Sequence, residues 1–159
     1  MGAVYFYHLT RQPLEHTLPV LLEKALQAGW SVEVRGRDSA MIEQLDQDLW
    51  KSPEDAFLPH AISDGVIDAS TPIILGQVPA SSKRECIMLV GGAEVTPDEI
   101  ADAQRVCVLF DGHNNDAVSL ARQHWKYYTD AGCVAQYWSE ESGRWAKKAE
   151  SGATNQSKT

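Results

Sequence analysis

The residues that could do chemistry are few and scattered. The five histidines stand at positions 8, 16, 60, 113 and 124. None belongs to an HExxH pair, and none shares zinc-ligand spacing with a cysteine. Asp111 closes an apolar run, Arg105-Val106-Cys107-Val108-Leu109-Phe110, and Gly112 follows it. An acid at the C-terminal end of a buried strand stands where open α/β sheets bind ligands, so it could act as nucleophile or metal ligand. It has no second carboxylate or basic partner at suggestive spacing, and Asp-Gly is also an ordinary turn. Gly91-Gly92 follows another apolar run, Cys86 to Val90, but no third glycine or lysine stands where a phosphate cradle needs it. Such glycine pairs mark turns. No GxGxxG, Walker A or GxSxG motif is present. These absences predict a scaffold with no catalytic residues, no metal and no cofactor of its own. A small nucleotide binder or enzyme built on Asp111 and the glycine pair is the alternative.

A different chemistry, recognition of an acidic partner, fits the segment from about Asn115 to Ala131. At about 100° per residue, Ala117, Leu120, Ala121, His124, Tyr128 and Ala131 form one apolar stripe. Arg122 and Lys126 lie together at its edge, and Trp125 and Val118 lie between them and its centre. Two like charges four residues apart repel by a few tenths of a kcal/mol, which an anionic partner would relieve. The set suits a ligand with an apolar tip and carboxylates beside it. A solvated helix edge over a core tryptophan fits the pattern equally well. His124, on the apolar face, reads as a core residue. A second aromatic stretch runs from Leu49-Trp50 through Pro53, Phe57 and Pro59 to His60. Trp50 falls outside the stripe of Met41, Ile42, Leu45 and Leu49. Aromatics on a backbone stiffened by two prolines either anchor an interface or pack over a satellite core.

These groups need elements to position them. Val4 to Leu9 is rich in aromatic and β-branched residues and predicts a strand. Leu14 to Leu26 carries helical periodicity, with Pro19 either near the helix start or at a kink. Ser31–Arg35 alternates as a strand, and Asp38 or Ser39 can cap a second helix. A long loop is expected after it, then strands at 72–75, 86–90 and 105–110. Thr96 or Asp98 can cap a short helix between the last two. The late helix ends at Gly132, and Val134–Trp138 is expected as the last edge strand. Alternating strands and helices predict an α/β fold: one Rossmann-like open sheet, mostly parallel, with helices on both faces and no nucleotide-binding glycine loop. One domain is expected over 1–146 and a flexible polar tail over 147–159.

Composition narrows the partners. A formal net charge of -8 disfavours direct DNA binding, which needs clustered Lys and Arg, and favours a protein partner. Single-strand binding by stacked Trp and Tyr rings is the weaker alternative. Cys86, Cys107 and Cys133 are odd in number and widely spaced, so they read as buried, reduced thiols. No leader is expected before the first strand, and no apolar run approaches the roughly 20 residues that span a bilayer. A cytoplasmic protein without membrane contact is therefore expected.

Several of these segments resemble one family. Leu45-Asp46-x-x-Leu49-Trp50-x-x-Pro53-x-x-x-Phe57-x-Pro59-His60 is similar to a motif of the chi subunits of bacterial DNA polymerase III. So are Arg105-x-x-x-Leu109-Phe110-Asp111-Gly112, Ala121-Arg122-x-x-Trp125-Lys126-x-Tyr128-x-x-Ala131-Gly132, and Tyr137-Trp138. The order holds to about Trp138. The resemblance implies a non-catalytic accessory subunit of the clamp-loader assembly. It implies binding of the acidic, Pro-Phe-ending C-terminal tail of single-stranded-DNA-binding protein by Arg122, Trp125, Lys126 and Tyr128, with DNA met only indirectly. A family lysine one turn before the arginine aligns near Val118. The resemblance further implies that Trp50, Pro53, Phe57, Pro59 and His60 meet the psi subunit, an equivalent clamp-loader component, or a competing helicase.

Overall fold

The computed structural model describes residues 3–10, 14–50, 60–62, 72–76, 85–139 and 146–151. Eight strands appear in chain order: β1 (Ala3–Leu9), β2 (Val32–Arg35), β3 (His60–Ile62), β4 (Ile73–Gly76), β5 (Cys86–Leu89), β6 (Arg105–Asp111), β7 (Val134–Ser139) and β8 (Ala146–Ser151). Four helices join them: α1 (Leu14–Gln27), α2 (Ser39–Trp50), α3 (Pro97–Asp102) and α4 (Asn115–Asp130). The strands form one sheet in the order β3-β4-β2-β5-β6-β1-β7-β8. Every neighbouring pair is parallel except β7 with β8. The predicted mostly parallel open sheet is therefore what the chain builds.

The runs at 86–90 and 106–110 are apolar throughout because both faces of the central strands are covered. On one face Leu18, Leu22 and Ala25 of α1 and Ile42 and Leu45 of α2 pack on Val32, Val34, Met88 and Leu109. On the other, Ile100 of α3 and Ala121 and Tyr128 of α4 pack on Phe6, Ile87, Val106 and Val108. The chain steps one way across the sheet over α1 and α2, then back over α3 and α4. Crossovers of one hand put outward and returning helices on opposite faces.

Caps set the helix starts. Asp38 Oδ1 accepts the Ala40 N–H at the start of α2. Thr96 and Glu99 form a reciprocal capping box on α3, with Pro97 in its first turn. The Asn114 side chain accepts the N–H groups of Asp116 and Ala117 at the start of α4.

One buried patch is ionic. Glu33 and Arg35 of β2 are 3% and 5% exposed and face the α3 side of the sheet. Arg35 Nε lies 2.8 Å from Glu33 Oε2, and its Nη2 lies 2.8 Å from Glu99 Oε2. Its Nη1 also donates to the Glu94 carbonyl oxygen at 2.9 Å. Burial works against the guanidinium charge, but the bonds to Glu99 and Glu33 outweigh it and hold the Arg35 pKa above its usual value. The Arg35 bond likewise holds the Glu99 carboxyl below the ordinary carboxylate range, against burial.

The structure narrows one open reading and corrects two others. Of the two readings left open for Pro19, the start of the helix just before it falls away: Pro19 stands five residues into α1. His60–Ile62, expected in the long loop, is a strand beside β4. The expected tail from 147 begins inside β8, which pairs with β7 from Ser139↔Ala146 to Ala135↔Ser151, so β7 is not the edge.

Candidate partner-binding site on the late helix

Helix α4 lies over β6 and β7 and turns Ala121, His124 and Tyr128 into the core. This is the face predicted from the helical wheel. Tyr128 is fully buried, and its hydroxyl accepts the Val95 N–H at 3.3 Å. Burial pushes its phenol pKa up. An enclosed Tyr128 cannot touch a ligand on the helix edge, so its expected contact role gives way to holding α4 down. His124 is the core residue the sequence predicted: it stacks on Tyr128 and lies 3.2 Å from Glu94 Oε2.

The edge of α4 that carries Arg122 and Lys126 is exposed. Trp125, half-buried, stands edge-on to Phe6 at 5.4 Å and to Tyr137 at 6.1 Å between centroids. Tyr137 shares a 2.8 Å hydrogen bond with His8 Nδ1, and His8 stacks on Phe110. The rings of Trp125, Tyr137, His8 and Phe110 therefore form one aromatic surface beside α4, reaching the sheet through β1, β6 and β7. Val118, half-buried, packs on the same core. Arg122 has no carboxylate partner among the described residues, whereas Lys126 Nζ lies 2.9 Å from Asp130 Oδ2 one turn on. The edge thus presents one unengaged guanidinium, one paired ammonium, and an aromatic surface below them.

Sequence reasoning missed three members of that surface, His8, Phe110 and Tyr137. Tyr137 stood in a quoted motif, but only the pairing of β1 with β7, Phe6 opposite Tyr137, brings it to Phe6 and to Trp125. His8 carried no periodic signal at all.

The second expected surface is barely covered. Trp50 ends α2 and His60 opens β3, but their side chains, and all of Pro53, Phe57 and Pro59, lie outside the described residues.

The residues of the alternative do meet. Gly91, Gly92 and Asp111 line one cleft of about 780 Å³ at the C-terminal edge of the sheet, with Leu120, Phe110 and His124. Its chemistry does not suit phosphate. Asp111 Oδ1 is taken by the His113 N–H at 2.9 Å, the Asp-Gly turn expected from the sequence. The first free amides of α4 are taken by Asn114. Gly91 and Gly92 turn the chain at φ 61° and 84°, and a Cβ on Gly92 would meet Leu120 at 2.8 Å. No cluster of three potential metal ligands occurs among the described residues. Cys86 and Cys107 are buried free thiols and Cys133 is a half-buried one.

Comparison with known proteins now decides the family. The family model described as DNA polymerase III chi subunit, HolC, matches residues 1–136. The chain belongs to the DNA polymerase III chi subunit family. The DNA polymerase III subunit chi of Pseudomonas aeruginosa (strain ATCC 15692) is 28% identical over 117 residues, covering 73% of this chain and 79% of that one. Membership places the chain among accessory subunits of the replicative polymerase. No helix among the described residues is long and apolar enough to cross a membrane.

Proposed function

We propose that this chi-family protein is a cytoplasmic, non-catalytic adaptor that ties DNA polymerase III, through the clamp-loader assembly, to the acidic C-terminal tail of single-stranded-DNA-binding protein. The observation that carries the reading is the exposed Arg122, without a carboxylate partner among the described residues, on the same helix edge as Trp125, whose ring meets Tyr137. An apolar terminal side chain would pack against Trp125 and Tyr137. Arg122 would take the terminal carboxylate through two parallel N–H bonds, and Lys126 would exchange Asp130 for an upstream acid. A site this small binds at roughly micromolar strength, about -8 kcal/mol. Several tails presented together on DNA raise the effective affinity without new contacts. The Trp50–His60 stretch would meet psi, an equivalent clamp-loader component or a helicase.

The test is gel filtration of the protein with the single-stranded-DNA-binding protein of the same cell, intact and trimmed of its last ten or so residues. Co-elution with the intact form alone supports the adaptor. Co-elution with both, or with neither at low salt, contradicts tail recognition.

A further inference from the structure

The sheet has a second open surface, on the face opposite α4. There α1 lies over β2 and β6 and shares its core with Tyr7 and Leu9 of β1, while Tyr5 of β1 and Trp138 of β7 stay partly exposed beside it. What remains is a groove of about 820 Å³ between the exposed side of α1 and the open strands. Its floor holds Tyr5 and Trp138, neighbours on adjacent strands with ring centroids 6.4 Å apart and planes tilted by 30°. The Trp138 indole N–H is held by Gln136 at 3.0 Å. The wall is aliphatic, and Val20 on it is 49% exposed, one of two large hydrophobic side chains described as exposed.

One end of the groove is cationic. The Arg105 guanidinium lies 4.3 Å from the Tyr5 ring centroid and 5.2 Å from that of Trp30. Two aromatic faces hold it, and no carboxylate pairs with it among the described residues. Lys24, exposed on α1, also lines the groove and has no carboxylate partner among them. Of the acids nearby, Glu85 accepts the Ser31 N–H at 2.8 Å and its hydroxyl at 3.2 Å, and Glu150 is held by Gln136 at 2.8 Å and Lys147 at 3.1 Å. In a chain of net charge -8, two cations with no carboxylate partner among the described residues, beside an apolar channel, are a specific complement to a carboxylate following an apolar side chain.

We propose that this groove docks a partner polypeptide segment carrying an apolar side chain next to a carboxylate. The apolar group lies on Tyr5 and Trp138 against α1, and the carboxylate lies on Arg105 and Lys24. A nucleic-acid strand fits less well. The α1 wall offers no ring, Arg105 lies on both Tyr5 and Trp30 so that little more than Trp138 is left to stack a base, and the overall charge repels a polyanion.

The test is a titration of the full-length ¹⁵N-labelled protein with N-acetyl-phenylalanine and, separately, with its uncharged amide, reading the indole N–H signals of the five tryptophans. The Trp30 and Trp138 signals should move and saturate at about 1 mM acid. The acid should bind about fivefold tighter than the amide, as a half-exposed ion pair gives. Arg105→Gln should remove that preference. Lys24→Gln, on the helix surface, repeats the test should the β6 substitution disturb folding. Trp125 reports the α4 site separately, so either site can fail alone. Unmoved Trp30 and Trp138 signals, or equal responses to acid and amide, would overturn the proposal. So would tighter binding at the same two indoles by an oligothymidylate, which would assign the groove to nucleic acid.

Discussion

At the level of single residues, the α4 edge differs from a generic charged helix face in how its cations are spent. Arg122 is unpaired among the described residues while Lys126 is tied to Asp130, both of that pair well exposed at 78% and 63%. Such a pair contributes only a few tenths of a kcal/mol. Freeing Lys126 by Asp130→Asn should therefore leave the melting temperature nearly unchanged and tighten an acidic peptide about twofold in a fluorescence titration. Val118→Lys adds a cation one turn before Arg122 and should tighten it further, by roughly threefold. Weaker binding in both variants would mean that charge on this edge does not carry recognition. The candidate site was half legible in the sequence. Arg122, Trp125 and Lys126 follow from helical spacing, but Tyr128 misled because a side chain on the apolar stripe can be a contact or an anchor. Its burial and its bond from Val95 make it an anchor. His8 and Tyr137 were out of reach because contacts across parallel strands leave no trace in local spacing.

Among the elements, helix starts and central strands were the most readable. Caps are local chemistry: Thr96 with Glu99, and Asn114 before α4, stand next to the amides they satisfy. Asn114→Ala should cost about 1 kcal/mol, measurable as a lowered denaturation midpoint, with the sheet intact. An unchanged midpoint would mean that packing alone sets the start of α4. Gly112 follows β6 where a Cβ would collide with the His8 ring and with the Leu9 carbonyl oxygen. Gly112→Ala should therefore displace His8 from Tyr137 and weaken the peptide as well as the fold. The edge strands were not readable. β3 is three residues long, and β8 reads Ala-Lys-Lys-Ala-Glu-Ser, with little intrinsic strand preference. It is a strand because β7 would otherwise leave a row of unpaired backbone groups, and its lysines suit an outer edge.

For the whole molecule, two electrostatic features separate stability from recognition. The buried Glu33–Arg35 pair and the partly exposed Glu99 join β2 to α3 on one face. Arg35→Met strands Glu33 in the core and should cost about 3 kcal/mol or more. Glu99 has its pKa lowered in the folded state, so its stabilisation is present above its ordinary value of 4.5 and is lost as pH falls through the depressed value. Glu99→Gln should flatten the acid limb of the stability curve below about pH 4.5. An unchanged limb would show that the pair is silent. The proposed recognition edge, with Arg122 and Lys126, is exposed and screened instead. Peptide affinity should fall severalfold between 50 and 300 mM salt, while the melting temperature barely moves. The fold itself, an open sheet with helices on both faces, was legible because its central strands are apolar on both sides.

The most direct measurement is the fluorescence anisotropy of a labelled acidic peptide ending in Pro-Phe, titrated with the protein and with Arg122→Ala. The adaptor account predicts saturable binding near micromolar concentrations for the parent, about -8 kcal/mol, and a loss of at least tenfold in the variant. Equal binding by both, or none by the parent at low salt, would contradict tail recognition on α4.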